Sequence, residues 1–138
     1  MFSLFSKTVL SPLLLRAALA AVFIYHGMHL VGSDKDWGTN WMPESMGQPA
    51  PVQALAAWGE LLGGIALAVG FLTRLAACGI IAIMVGAIAT FHWESGFDIA
   101  NHGFEYNVVI IAMCLCLVLG GAGPLAVDRV FRMRRNRD

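Results

Sequence analysis

Charge is what this chain lacks most. Charged side chains make up 13% of its 138 residues, about half the share of an ordinary soluble domain. That shortage excludes a soluble enzyme of the usual kind and a charged disordered tail. Cysteine is also scarce. Cys78, Cys114 and Cys116 all sit in apolar segments, and none forms C-x-x-C. A secreted disulfide scaffold, a zinc finger and a dithiol relay are therefore excluded. What the chain does have is apolar surface: 58% hydrophobic residues and a mean hydropathy of +0.70. Four membrane spans would use ~80 apolar-rich positions, which is what the composition supplies. The expected fold is all-α, a four-transmembrane-helix bundle with short connections and almost no domain outside the bilayer.

The breaker residues divide the chain into four spans of one integral membrane domain, residues 1–138. Span one covers 12–31, after a lead-in in which Phe2, Leu4 and Phe5 beside Lys7 suit an interface. Its apolar run is too long for a signal peptide and three spans follow, so it reads as retained. The loop 32–50 holds Gly32, Gly38, Gly47, Pro43 and Pro49, with Trp37 and Trp41 suited to the headgroup layer. Span two covers 52–72, and Thr73 with Arg74 forms a tight turn. Span three covers 75–93 and span four 104–119, stopped by Gly120, Gly121, Gly123 and Pro124. Gly59-x-x-x-Gly63 and the row Gly79, Ala82, Gly86, Ala89 read as helix-packing stripes.

Net charge is zero, yet the basic residues are unevenly spread. Arg129, Arg132, Arg134, Arg135 and Arg137 crowd the tail 125–138, on the same expected side as Lys7, Arg16 and Arg74. The other side has only Lys35, with Asp34, Asp36, Glu44, Glu94 and Asp98. The positive-inside rule then puts both termini in the cytoplasm and both long loops outside. The arginine run reads as this anchor and not as a nucleic-acid site.

Few ionisable groups fall within the spans: Arg16, His26, His29, Glu60, His92 and Glu105, with His102 at an edge. A charge at a helix centre costs ~2.5–3.5 kcal/mol on insertion scales. Glu60 lies about 13 Å into span two at 1.5 Å per residue, so it needs a function or a strong partner. On the expected topology every helix delivers His or Glu to the outer half. His26 and His29 share a face, as do His102 and Glu105. The two hairpins even rhyme, His26 with Glu60 and His92 with Glu105. One outer-half site is the economical reading. His26, Glu60, His92 and Glu105 are its catalytic and cofactor-binding candidates, and these four with His29 and His102 are candidate metal ligands. Such groups move protons in quinone chemistry, bind iron, copper or zinc, or hold a haem. The plainer reading keeps His29 and His102 as solvated edge residues, His92 beside Trp93 in an aromatic belt, and Glu60 paired with a histidine or Arg16.

The stretch Gly59 to Arg74, GELLGGIALAVGFLTR, resembles the signature of the DoxX family of small bacterial membrane proteins. So do His26-Gly27, the segment Gly103-Phe104-Glu105-Tyr106-Asn107, and the close from Gly121 to Asp128. The likeness covers nearly the whole chain. It implies a four-helix inner-membrane protein, and it carries over His26, Glu60, Arg74, Glu105 and Asp128, the last arginine and aspartate as structural or topological residues. Where the family often has a lysine after the first-helix His-Gly, this chain has His29. Namesake relatives are associated with quinone-linked sulfur oxidation, others with thiol and oxidative-stress systems.

Three functions follow as expectations. The first is a quinone-linked redox subunit, an oxidoreductase component that needs an external redox partner protein. The second is a His/Glu site for a transition metal. The third is a non-catalytic accessory subunit of a membrane complex, and the small-residue stripes also fit a homo-oligomer.

Overall fold

The computed structural model describes residues 6–130. Four helices dominate it. A π-helical turn, Ser6–Leu10, leads into α1, Ser11–Leu30, and α2 covers Ala50–Val69. Helix α3 covers Thr73–Ala87 and runs on through a π turn, Ile88–His92, and α4 covers Glu105–Gly120. No strand occurs among the described residues. The helix limits follow the punctuation in the sequence. Pro12 and Pro51 sit in the first turns of α1 and α2, where a missing N–H costs nothing. Gly70 ends α2 with φ +71°, and Gly121 ends α4 with φ +81°. Phe2, Leu4, Phe5 and the arginines from Arg132 onward lie outside the described residues.

Three helices are long and apolar enough to cross a membrane: Thr8–Leu30, Ala50–Val69 and Thr73–His92. The fourth has 16 residues and extends about 24 Å against a hydrocarbon core of about 30 Å. Each helix packs on the next, and α4 returns to α1 along the thinnest seam. Adjacent helices run antiparallel. A Cβ on Gly64 would strike the backbone of Phe23 and Ile24, and one on Gly27 the backbone of Leu61. Gly59 and Gly63 meet Ile83 and Ile80 of α3 in the same reversed order. The result is an up-and-down four-helix bundle. Its core includes Leu19, Phe23, Leu67, Ile80, Met84, Ile110, Cys114 and Leu117. Its outside is apolar as well: Leu55 and Leu119 are 75% and 79% exposed, which suits lipid and not water.

Two sequence expectations change here. Thr73 and Arg74 are not the turn between spans two and three but the first residues of α3. The link is Gly70–Leu72, and both Gly70 and Leu72 adopt positive φ. The cause is a cap that comes from far along the chain. The Asp128 carboxylate accepts the N–H of Leu72 at 2.7 Å and of Thr73 at 2.9 Å, satisfying donors at the start of α3. The row Gly79, Ala82, Gly86, Ala89 is exposed, and nothing lies within 4 Å of a Cβ added at Gly79 or Gly86. That stripe faces away from the bundle.

At the same end Arg16 is 2% exposed and ties two elements together. Its Nε donates to Leu67 O at 2.8 Å, which also accepts the Gly70 N–H at 3.3 Å, and its Nη2 donates to Ala68 O at 3.0 Å, both in the last turn of α2. Its Nη1 donates to Ala122 O at 3.0 Å and Leu125 O at 2.8 Å, in the segment after α4. Asp128 closes the knot by donating its N–H to Gly70 O at 2.9 Å. Glycine is required at position 70 twice over: by its φ, and because a Cβ would lie 2.6 Å from Ala126 Cβ and 2.7 Å from Arg16 Cζ. We call this the arginine end and the opposite one the loop end.

Candidate functional site

The interior face of α2 is set by its spacing. Gln53, Ala57, Gly64 and Leu67 are its buried residues. Glu60 stands seven residues from both Gln53 and Leu67, two turns either way, so it belongs to the same stripe. It is half-buried and makes no hydrogen bond or ion pair among the described residues. Arg16 is not its partner, because that guanidinium spends four of its five N–H groups on backbone carbonyls at the arginine end.

Helix contacts fix what shares its level. Gly27 of α1 abuts Leu61, next to Glu60. Gly59, on its other side, meets Ile83 of α3. The following residue, Met84, receives the Asn107 Nδ2 of α4 at 3.5 Å on its sulfur. Gly27, Glu60, Met84 and Asn107 thus form one layer across all four helices. Asn107 is 5% exposed, and a thioether is a weak acceptor. An amide and a carboxyl, both poorly partnered, face the same apolar interior. Polar groups at such a place are costly and mark function more often than not.

The histidines spread over the loop end. His26 is exposed on the flank of this layer, edge-on to Tyr25 at 5.8 Å between ring centroids. His29 lies against the other side of Tyr25 at 4.8 Å and is also exposed. His92 is half-buried in the π turn, and its Nδ1 lies 2.6 Å from His102 O. A carbonyl accepts only, so Nδ1 carries the proton and Nε2 is left as an acceptor. His102 contributes this carbonyl from a residue with φ +62°, while its own ring is exposed. His92 lies eight residues past Met84, roughly 12 Å nearer the loop end.

Glu105 is half-buried and stands off the buried stripe of α4. It opens α4 two residues before buried Asn107, which puts it round the far side from the stripe Asn107, Ile110, Cys114, Leu117. There it favours the positive end of the helix dipole. The two carboxyls of the rhyme stand differently on their helices, Glu60 on the buried stripe of α2 and Glu105 off that of α4, and both are half-buried. The candidate metal set of His26, His29, Glu60, His92, His102 and Glu105 is not gathered at one point. Among the described residues, no group of three or more His, Cys, Asp or Glu side chains could hold a metal ion. Asn107 was missed in the sequence; its signal was an amide inside an otherwise apolar run.

Loop 31–49 is tied down over this end. Gln53 is 7% exposed. Its Oε1 accepts the N–H groups of Trp41 and Met42, each at 3.0 Å, and its Nε2 donates to Gln48 O at 2.9 Å. The Trp41 indole donates to Gln53 O at 2.9 Å and its ring reaches Phe91 of α3 at 6.3 Å. The Trp58 indole donates to Trp37 O at 2.9 Å. The tryptophans expected in the headgroup layer also bolt the loop to α2, and Trp41 bridges to α3 about two turns above Glu60.

The DoxX family model matches residues 11–93. An uncharacterized protein of Haemophilus influenzae is 28% identical over 131 residues, covering 88% of this chain and 83% of its own length. A Bacillus subtilis protein named "Putative oxidoreductase CatD" is 29% identical over 128 residues, covering 92% of both chains. No solved structure matches.

Proposed function

Because this chain belongs to the DoxX family and is a multi-pass membrane protein, we propose that it serves as the membrane subunit of a quinone-linked redox system, taking the quinone head group beside Glu60. The observation that carries the reading is the half-buried Glu60 carboxyl on the buried stripe of α2, with no hydrogen bond or ion pair among the described residues, at the level of the buried Asn107 amide. The name of the Bacillus subtilis relative points toward the same reaction class. A quinol gives up two protons as it loses two electrons. In this reading Asn107 donates its amide N–H to one quinone oxygen, Glu60 takes the proton of the other hydroxyl, and the proton of the Asn107-bound hydroxyl leaves to water, with both steps reversed on reduction. His26, on the flank of the layer, passes the proton toward the loop end, and His92 offers Nε2 nearer the mouth. The electrons go to an external redox partner. In this reading the arginine end is cytoplasmic, which the positive-inside pattern supports, and the membrane is a bacterial inner membrane, which the family supports.

Quinone-dependent electron transfer in membranes tests this. Glu60→Gln keeps shape and loses the proton acceptor, so the rate is expected to fall by roughly 10²-fold or more. If Glu60→Gln retains the rate while Gly63→Leu, which crowds Ile80, abolishes it, the chain is an accessory subunit held by packing alone.

A further inference from the structure

The arginine end holds a cavity of about 870 Å³ that the redox reading does not use. Leu72, Thr73, Arg74, Leu75, Asp128 and Arg129 all line it. We propose that this cavity holds the phosphate of an anionic phospholipid. The proposal does not rest on the redox reading.

Four observations converge. The wall carries two exposed guanidinium groups, and Arg74 meets Leu119 O only at a long 3.4 Å. The Thr73 hydroxyl, on a residue 0% exposed, has no hydrogen-bond partner among the described residues. A buried donor left over in a charged cavity is a place for an acceptor oxygen. The cavity lies at the start of α3, where the helix dipole favours an anion. Asp128 already takes the N–H groups of Leu72 and Thr73, so the phosphate sits beside that cap and not in its place, with two arginines set against one carboxylate. Leu72 and Leu75 in the same wall are 50% and 67% exposed, an apolar path along which acyl chains leave the headgroup. A free phosphate would have no use for them. The volume lies in the range of organic-ligand sites, about 300–1,000 Å³, and suits phosphate with its glycerol better than a bare ion. Basic pockets between membrane helices recognise phospholipid head groups in this way.

The test is native mass spectrometry of the full chain purified in mixed micelles of phosphatidylglycerol and phosphatidylcholine. The chain is expected to retain phosphatidylglycerol selectively. Arg74→Gln and Arg129→Gln should each weaken that retention about fivefold. Thr73→Val should weaken it too, while the delipidated variant melts no lower than the parent, because the lost hydroxyl had no protein partner. Loose attraction to the arginine-rich tail would not register Thr73→Val. Retention of both lipids alike, or retention unchanged in Thr73→Val and in Arg129→Gln, overturns the proposal. Arg129 is exposed, so its variant keeps the test open if Arg74→Gln does not fold. Inorganic phosphate alone is the last arm. Displacement of phosphatidylglycerol by millimolar phosphate would assign the cavity to a free anion, and failure to displace it supports the lipid.

Discussion

Arg16→Leu is the sharpest probe of how the bundle is held. The guanidinium makes four hydrogen bonds, two to the end of α2 and two to the segment after α4, at 2.8–3.0 Å. Bonds to a charged group contribute about 1.5–3 kcal/mol each, so the gross loss is about 6–12 kcal/mol. Part is recovered, because leucine avoids burying a charge and because the carbonyls of Ala122 and Leu125, in half-buried and exposed residues, regain water. Leu67 is 0% exposed, so water cannot replace the bond its carbonyl loses, and that carbonyl is left with the Gly70 N–H alone at 3.3 Å. The net loss should be about 3–5 kcal/mol, the range for breaking a buried charged network. Arg16→Lys keeps the charge but offers three donors from one point, which cannot span carbonyls on two elements, so it should recover no more than half. Reversible unfolding in mixed micelles with increasing dodecyl sulfate, followed by tryptophan fluorescence, measures both. A loss below about 1 kcal/mol for Arg16→Leu would refute the claim that this side chain clamps the bundle. The double variant with Glu60→Gln should be additive, because the two groups share no partner. Strong coupling between them would instead restore an Arg16–Glu60 pair.

Three glycine and loop variants test the packing. Gly27→Ala puts a methyl 2.5 Å from the Leu61 backbone N and should destabilise the protein by about 1–3 kcal/mol in the same assay. Gly79→Ala meets nothing within 4 Å and should be neutral or stabilising by up to about 1 kcal/mol, through helix propensity alone. Gln53→Leu removes three bonds that hold Trp41, Met42 and Gln48. Its expected signature is increased quenching of tryptophan by a water-soluble quencher, with a loss of about 1–3 kcal/mol; unchanged quenching would show that the loop is held otherwise.

Local punctuation made the helices legible. Pro12 at the start of α1, the glycines after α4 and the four apolar runs reappear as elements in the expected order, whereas the stop at Gly70 was read through as part of span two. What the sequence hid was long-range. Thr73 and Arg74 look like a turn because their cap, Asp128, lies 55 residues away from Thr73. The two glycine stripes look alike as text, yet Gly59 and Gly63 meet α3 while Gly79 and Gly86 meet nothing. For the candidate site, Glu60 was found by the cost of a carboxyl in an apolar run, and its position on the stripe of Gln53 and Leu67 follows from spacing. The side of α4 that faces inward was not decidable from spacing, because Asn107 and Glu105 compete two residues apart and only packing on Met84 chooses between them.

The most direct measurement of the central claim is the quinone content of the purified protein. Solvent extraction from the parent in mild detergent should yield quinone at close to one per chain. Asn107→Leu and Glu60→Gln should each strip it while the bundle stays folded. A parent that carries no quinone, or variants that retain it in full, would contradict an inward-facing Glu60 and Asn107 as its binding groups.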